Sequence, residues 1–316
     1  MRPFFVPSLL VLSSFASAQL GSVLQERALG NVPPVSASAG FGTTVAALGD
    51  LNGDGFEDLA VGAPFDLGGS VWILFLDASG DVAGSLRIAE GAGGFTGNAG
   101  ILFGYGMTAL GDLDGDGLSE LAVSGRGLTG QNGRVHILFL NGDGSVRAQN
   151  RISTASPVFG GAMGARETVF GIAGFPDIDG DSVPELLWGD PENDAGVNDS
   201  GALWVVRLNA DGSAKGAHRI ANGLGGFGVL LDASDDFGLS MCAAGDVNQD
   251  GNEDIVVSDN HAGSAPSGRL WTLFLDANAQ VLTQNVFSAA DMGMTWENPP
   301  GFVRNGSLSR VFALDD

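Results

Sequence analysis

A nine-residue pattern of oxygen-bearing side chains occurs four times along the chain and constrains its fold more than any other feature. The four copies begin at residues 50, 112, 177 and 246, at intervals of 62 to 69 residues. Asp, Asn or Glu stands at positions 1, 3, 5 and 9 of every copy, and glycine stands at position 6 of three of them. A regular interval of this length is typical of a chain built from repeated structural units.

The spacing of these oxygen atoms indicates a calcium loop. Calcium prefers six to eight oxygen ligands at about 2.3–2.6 Å, and alternate residues of a tight loop can direct their oxygens at one centre. The backbone carbonyl of position 7 would complete each set, so we predict about four structural calcium ions. The predicted ligands are Asp50, Asn52, Asp54, Phe56 and Asp58; Asp112, Asp114, Asp116, Leu118 and Glu120; Asp177, Asp179, Asp181, Val183 and Glu185; and Asp246, Asn248, Asp250, Asn252 and Asp254.

Two other interpretations of the loops were weighed. An EF-hand requires a glutamate at position 12 and two flanking helices, whereas position 12 is Val61, Val123, Trp188 or Val257 here, each within an apolar run. Turns capped by Asx side chains without any metal stay open as an alternative. Several carboxylates within a few ångström repel one another unless a cation intervenes, which favours the metal. Because Ser182 replaces the position-6 glycine of the third loop, we predict that its site is the weakest.

The residues around each loop predict four short strands per repeat. A Phe-Gly pair precedes the loop, and an apolar run, a second apolar run, a turn and a fourth segment follow it. Repeats of four strands at this interval are typical of a β-propeller blade. We therefore predict an all-β chain, a β-propeller of four-stranded antiparallel blades. Its predicted repeats are about 41–102, 103–169, 170–236 and 237–305, with partial strands at 19–40 and 306–316.

The first repeat also carries a family resemblance. Phe41-Gly42, the acidic loop and then Gly62-Ala63-Pro64 resemble the FG-GAP repeat of integrin α-subunit N-terminal propellers and their bacterial relatives. The full Gly-Ala-Pro stands only in this repeat, and the third has Gly189-Asp190-Pro191. The resemblance implies cations that stiffen loops on one face of the disc, and a binding or adhesion role. It gives no ligand contacts for this chain.

The first residues of the chain predict an extracellular location, and its charge bears on the partner. Residues 1–18 combine Arg2, a short apolar stretch and Ala16-Ser17-Ala18, a pattern typical of a secretory signal peptide. We predict a secreted or cell-surface protein cleaved near Ala18, with no transmembrane segment. The net charge is −23 and the one lysine is Lys215, which argues against nucleic acid as a partner because phosphate contacts need a basic surface.

The predicted function is an adhesion or ligand-binding module whose partner is an extracellular protein or a glycan, and not an enzyme. One alternative is an extracellular hydrolase or lyase that uses His261 and loop carboxylates. Another is a truncated fragment of a larger surface protein. The incomplete strands at both ends predict an open propeller edge that favours self-association.

Two further residues are predicted to pack in the core. His136 occupies the place that Trp72, Trp204 and Trp271 hold in the other repeats. Cys242, the single cysteine, lies in an apolar run before the fourth loop and is interpreted as a small buried hydrophobe.

Overall fold

The computed structural model describes residues 30–99, 102–125, 132–163, 171–259 and 268–288. Within them, sixteen strands form four separate four-stranded antiparallel sheets, and each sheet takes four consecutive strands in chain order. We call these sheets blades 1 to 4. The strands of blades 1 and 2 are β1 Val45–Gly49, β2 Asp58–Ala63, β3 Ser70–Leu76, β4 Val82–Ile88, β5 Met107–Gly111, β6 Glu120–Gly125, β7 Arg134–Leu140 and β8 Val146–Ser153. Those of blades 3 and 4 are β9 Ile172–Phe175, β10 Glu185–Asp190, β11 Ala202–Leu208, β12 Ala214–Ala221, β13 Met241–Gly245, β14 Asp254–Asp259, β15 Arg269–Leu275 and β16 Val281–Ser288.

The predicted fold class, an all-β propeller of four-stranded antiparallel blades, is confirmed. The first strands of the four blades (β1, β5, β9 and β13) lie next to one another in chain order. Alternate residues of each strand point to opposite faces of its sheet, so each blade offers one apolar face to the blade before it and another to the blade after it. The repeat limits given above stay a prediction.

Three apolar cores join the blades in series. Val71 and Ile73 of blade 1 pack with Leu138 of blade 2. On the opposite face of blade 2, Ile137 belongs to a second core that contains Trp188 of blade 3. A third core lies between blades 3 and 4. Each of these three cores is made by two neighbouring sheets, whereas a smaller fourth cluster around Val61, Leu74 and Val82 involves blade 1 alone.

The Phe-Gly and Gly-Ala-Pro residues lie where neighbouring blades come closest. Gly42 donates its backbone N–H to the Gly62 carbonyl within blade 1, at 3.0 Å. A Cβ atom added to Gly62 would lie 2.1 Å from the carbonyl oxygen of Gly104, in the next repeat. Only glycine fits such an approach. The Thr44 hydroxyl donates to the same Gly104 carbonyl at 2.9 Å.

The ends of the chain are described in part. Residues 30–40 form turns and irregular segments, where Pro33 and Pro34 lack the N–H that a ladder requires, and the partial strand predicted within 19–40 stays a prediction. The signal peptide, the rest of that partial strand, the partial strand at 306–316 and His261 lie outside the described residues. Among the described residues, no helix has the length and apolarity needed to cross a membrane.

Candidate functional site: four acidic loops

The four acidic segments connect the first and second strands of their blades. We call them loop 1 (50–58), loop 2 (112–120), loop 3 (177–185) and loop 4 (246–254). Their equivalent place in the four blades follows from the sequence, since each apolar run that follows a loop becomes the second strand. The loops therefore present the same kind of acidic connection four times.

Position 1 organises each loop through backbone hydrogen bonds. In loop 1, Asp50 accepts the N–H groups of Asp54 and Gly55 at 2.9 and 2.8 Å. Asp112, Asp177 and Asp246 accept the equivalent amides of their own loops. These bonds curl the backbone around the carboxylate, so that the side chains of positions 1, 3 and 5 share one small volume.

Position 9 is fully buried in all four loops, with exposures of 0% for Asp58, Glu120, Glu185 and Asp254. Both oxygens of Asp58 accept hydrogen bonds, Oδ2 from the Leu51 N–H at 3.0 Å and Oδ1 from the Leu76 N–H at 3.1 Å. Asp254 is held in the same way, by the N–H groups of Val247 and Leu275. In loops 1 and 4, position 9 therefore fastens the loop to the end of the third strand.

The glutamates at position 9 of loops 2 and 3 differ, because each has an oxygen left over. Glu120 Oε2 accepts the Leu113 N–H at 2.7 Å, and Glu185 Oε2 accepts the Leu208 N–H at 2.8 Å. The second oxygen, Oε1, is buried in both residues and has no hydrogen-bond partner. A buried carboxylate oxygen without a partner is costly, and a bound cation would remove that cost.

Burial also changes the acidity of these groups. It raises the pKa of Glu120 and that of Glu185 to about 7 each, although a backbone N–H and a nearby basic side chain act in the opposite direction. The pKa of Asp58 and that of Asp254 are raised too, again first by burial. A positive charge within the loop would favour the ionised form of all four carboxylates.

Positions 3 and 5 are bridged in two different ways. In loops 1 and 4 position 3 is asparagine, and its side-chain amide donates to the position-5 aspartate: Asn52 to Asp54 at 2.9 Å and Asn248 to Asp250 at 2.8 Å. In loops 2 and 3 position 3 is aspartate, and a basic side chain from the fourth strand lies between the two carboxylates.

Those basic residues, Arg147 and Lys215, were missed by the sequence analysis. Arg147 Nη2 lies 2.8 Å from Asp114, 2.5 Å from Asp116 and 3.6 Å from the free Oε1 of Glu120. Lys215 Nζ lies 2.9 Å from Asp179 and also contacts Asp181. Arg147 and Lys215 occupy equivalent positions in their blades. Each directly follows the residue that pairs with the last leucine of the third strand, Leu140 or Leu208. The shared position was the signal that could have identified them.

The backbone turns through left-handed conformations at positions 4 and 6. Position 6 has φ of +92° at Gly55, +89° at Gly117 and +91° at Gly251, and Ser182 adopts +67° there. The turn that the sequence analysis required at position 6 is therefore made in all four loops. A non-glycine residue is strained in this region, and loop 3 carries that strain.

The carboxylates of loops 2 and 3 lie close enough to share one ion. One oxygen each from Asp112, Asp114 and Glu120 lie within 4.8 Å of one another, and so do oxygens of Asp177, Asp179 and Glu185. Loops 1 and 4 bring fewer carboxylates together because asparagine replaces aspartate at position 3. At position 7, the backbone N–H of Phe56, Leu118, Val183 and Asn252 donates to the position-5 aspartate. The role of the position-7 carbonyl stays a prediction.

Both residues predicted to pack in the core are buried. His136 is 1% exposed and Cys242 is 7% exposed. Burial raises the pKa of the Cys242 thiol to about 12, so this thiol is protonated at neutral pH.

Comparison with known proteins agrees with the sequence and the fold. Residues 41–74 match the family described as "FG-GAP repeat". Integrin alpha-7 of Homo sapiens is 34% identical over 160 residues, which cover 48% of this chain and 12% of that protein. Integrin alpha-PS5 of Drosophila melanogaster is 36% identical over 95 residues, which cover 30% of this chain and 10% of that protein. The predicted resemblance to the FG-GAP repeats of integrin α subunits is confirmed.

A solved structure titled "Structure of Dos1 propeller" aligns with 78% of this chain and 53% of that chain, at 15% identity and a TM-score of 0.39. The match to human integrin alpha-7 spans about an eighth of that protein.

Proposed function

We propose that this chain, which resembles the FG-GAP repeats of integrin α subunits, is a secreted calcium-binding β-propeller that serves as an adhesion or ligand-binding module. The role is non-enzymatic, and calcium is structural. The observation that carries the calcium part is the pair of buried, unpartnered carboxylate oxygens of Glu120 and Glu185, each beside further loop carboxylates. Hard oxygen ligands in this number suit calcium better than a transition metal.

Each proposed ion is held by positions 1, 3, 5 and 9 of its loop together with the position-7 carbonyl, as the sequence analysis predicted. In loops 2 and 3 the basic side chain of Arg147 or Lys215 has to give way, because it lies among the same oxygens. The position-9 side chains of loops 1, 3 and 4 also accept an N–H from the end of the third strand. An ion on such a loop therefore links three of the four strands of its blade.

The proposed binding role rests on the integrin resemblance. Integrin α relatives are cell-surface proteins, and residues 41–74 of this chain match the FG-GAP repeat. We propose that an extracellular protein or a glycan is the partner of this chain and that residues 1–18 direct its secretion. Amino-terminal sequencing of the protein released from expressing cells tests the predicted cleavage near Ala18.

Self-association through an outer blade is part of the same proposal. On β16 of blade 4, Leu282 is 63% exposed, Val286 48% and Phe287 44%. Exposed apolar side chains on an outermost strand favour contact with another chain. A concentration-dependent shift of the elution volume in size-exclusion chromatography is expected, and a monomer at every concentration would contradict it.

The largest expected effect is the loss of stability on calcium removal. A site whose dissociation constant lies tenfold below the free calcium concentration stabilises the fold by roughly 1.4 kcal/mol, so four such sites contribute about 5–6 kcal/mol. We expect the melting temperature of residues 19–316, followed by circular dichroism, to fall by well over 10 °C when millimolar calcium is replaced by excess chelator. Magnesium at the same concentration is the control and should restore little. An unchanged melting temperature would mean that the loops are turns without metal.

A further inference from the structure

One position of the third strand is filled by tryptophan in three blades and by a smaller ring in blade 2. Trp72, Trp204 and Trp271 hold it in blades 1, 3 and 4, and His136 holds it in blade 2. Beside His136 the structure has a cleft of about 350 Å³, which we call the His136 cleft. Ligand sites in proteins commonly have volumes of about 300–1,000 Å³.

The imidazole of His136 makes the same kind of ring contacts as the indole of Trp271. His136 contacts Phe95 and Phe103 edge-on, with ring centroids 5.1 and 5.7 Å apart. Trp271 contacts Phe227 and Phe237 in the same way, with ring centroids 5.3 and 6.4 Å apart. The surroundings of the two rings are similar and imidazole is smaller than indole, so histidine leaves space that tryptophan would fill.

A second small residue enlarges the same space. Phe227 packs on Trp271, and Val229, two residues later, lies against the core of blades 3 and 4. Two residues after Phe95, the equivalent residue is Gly97, which lines the His136 cleft. A Cβ atom added to Gly97 would lie 2.8 Å from the amide nitrogen of Gln149. The space is therefore kept open by two substitutions that both remove volume.

The cleft also holds polar groups that the protein does not satisfy. His136 is 1% exposed, and its Nε2 has no hydrogen-bond partner. The guanidinium of Arg151, which is paired with His136 across the strands, forms no hydrogen bond or ion pair with any part of the described chain. Its equivalent in blade 1, Arg87, is bound to Asp66 at 2.9 Å. In blade 2 the arginine is left available at the mouth of a cleft.

The charge of the cleft differs from that of the molecule. The chain has a net charge of −23, yet the residues described as lining the cleft include one cation and no carboxylate: Gly97, Asn98, His136, Gln149, Asn150 and Arg151. The Asn98 amide is bonded to Arg134, and the Asn150 amide is bonded to Asp211 on the opposite face of the blade. The Gln149 amide is on the same face as His136 and can both donate and accept hydrogen bonds. Gln149 is itself held by contacts with Thr96 at 3.4 and 3.5 Å. A cation beside the Gln149 amide suits a ligand that has both an acid group and hydroxyls.

The imidazole is an acceptor in this setting. Burial, together with the positive charges of Arg134 and Arg151, lowers the pKa of His136 to about 4, although a hydrogen bond with the Asn98 backbone acts in the opposite direction. The ring is therefore neutral at physiological pH, and its free Nε2 can accept a hydrogen bond from a hydroxyl group.

We propose that the His136 cleft binds an acidic sugar. The sugar carboxylate lies against the Arg151 guanidinium, ring hydroxyls bind the Gln149 amide, and one hydroxyl donates to His136 Nε2. Charge-assisted bonds to a guanidinium are stronger than neutral ones, so the acid group supplies most of the selectivity. The proposal gives a ligand class to the binding role described above and in that sense rests on it.

The test is a titration of the full secreted protein in calcium with three probes: sodium glucuronate, glucose and sodium acetate. Saturable one-to-one binding of glucuronate is expected by calorimetry, with glucose and acetate each roughly tenfold weaker or more. No saturable binding of glucuronate, or binding of acetate as strong as that of glucuronate, would overturn the proposal. Without glucuronate binding, the cleft is not a sugar site. If acetate binds as strongly as glucuronate, the cleft is a simple anion site.

Two variants locate the binding. His136→Trp restores the side chain that the other blades have and should abolish binding by filling the cleft, while Arg151→Ala should weaken glucuronate at least tenfold and leave glucose almost unchanged. Arg87→Ala, at the same strand position in blade 1, is the matched control and should bind as the unaltered protein does. Should His136→Trp fail to fold, Gln149→Ala takes its place. Binding that survives both cleft variants contradicts the proposal.

The melting temperature with and without calcium is recorded on the same samples. A normal calcium dependence without sugar binding overturns the cleft alone. Sugar binding without any calcium dependence overturns the calcium proposal and leaves the cleft in place.

Discussion

Loops 1 and 4 and loops 2 and 3 have the same pattern of oxygen atoms but balance its charge differently. Loops 1 and 4 each combine three carboxylates with an asparagine at position 3, and the amide bridges to the position-5 aspartate. Loops 2 and 3 each have four carboxylates and draw a cation from the fourth strand. With the basic residue included, positions 1, 3, 5 and 9 have the same net charge in all four loops, and Glu57 and Glu253 at position 8 add one further carboxylate each to loops 1 and 4. The comparison teaches that a repeated acidic pattern does not imply four equal sites.

The position-9 side chain also differs between loops 1 and 4 on the one hand and loops 2 and 3 on the other. Aspartate in loops 1 and 4 uses both oxygens to hold backbone amides, whereas glutamate in loops 2 and 3 keeps one buried oxygen free. Loops 1 and 4 therefore depend on position 9 for their shape even without metal. In loops 2 and 3 the free glutamate oxygen can bind a metal ion, and the basic side chain of Arg147 or Lys215 competes with that ion for the loop carboxylates.

The largest expected difference comes from neutralising position 9. Asp58→Asn removes the charge from hydrogen bonds to buried backbone amides, so we expect a loss of roughly 3 kcal/mol in unfolding free energy, even in chelator. Glu120→Gln should change the stability in chelator by less than about 1 kcal/mol, because only one of its oxygens is bonded to the backbone. Urea denaturation of both variants in chelator measures this, and equal losses would remove the distinction.

Exchange of the basic residue between loops sharpens the comparison further. Arg147→Ala frees the three carboxylates that Arg147 contacts, and we expect the calcium affinity of loop 2 to rise about tenfold, equivalent to roughly 1.4 kcal/mol. Ala83→Arg places a cation at the equivalent position beside loop 1 and should weaken that site by a similar factor. Calcium-induced shifts of the melting temperature report both, with Arg87→Ala as the control because Arg87 pairs with Asp66. Shifts in the same direction for the two variants would contradict competition by the tethered cation.

The smallest expected effect separates loop 3 from loop 2. Ser182 lies at φ +67°, and Ser182→Gly should stabilise the protein by about 1 kcal/mol and strengthen calcium binding at that loop. Ser119→Gly in loop 2 is the control, since Ser119 is not in the left-handed region and gains nothing from glycine. Thermal melts in calcium compare them, and a destabilised Ser182→Gly variant would show that the third site is not weakened by strain.

The sequence was sufficient for the strands and for the acidic loops, because both are local. Apolar runs such as Leu59–Val61 became second strands, and the position-6 residues adopted the left-handed turn that the glycine pattern predicted. The pairing of Arg147 with loop 2 was not foreseen, since it joins residues more than 30 positions apart and depends on the register between β7 and β8. The cleft beside His136 was missed for a similar reason. It depends on what Phe95 and Gly97 leave unfilled, and a substitution pattern does not report empty space.

The strictly sequential order of the strands bears on how such a molecule changes over evolutionary time. Each sheet is encoded by one stretch of chain, and none of the sixteen described strands crosses from one sheet into another. Duplication of a single stretch therefore adds a whole sheet together with its own loop, and the new copy needs only to match the apolar face of its neighbour. Afterwards each copy is free to drift separately, which is how one blade could exchange an indole for an imidazole while the adjacent ones kept theirs.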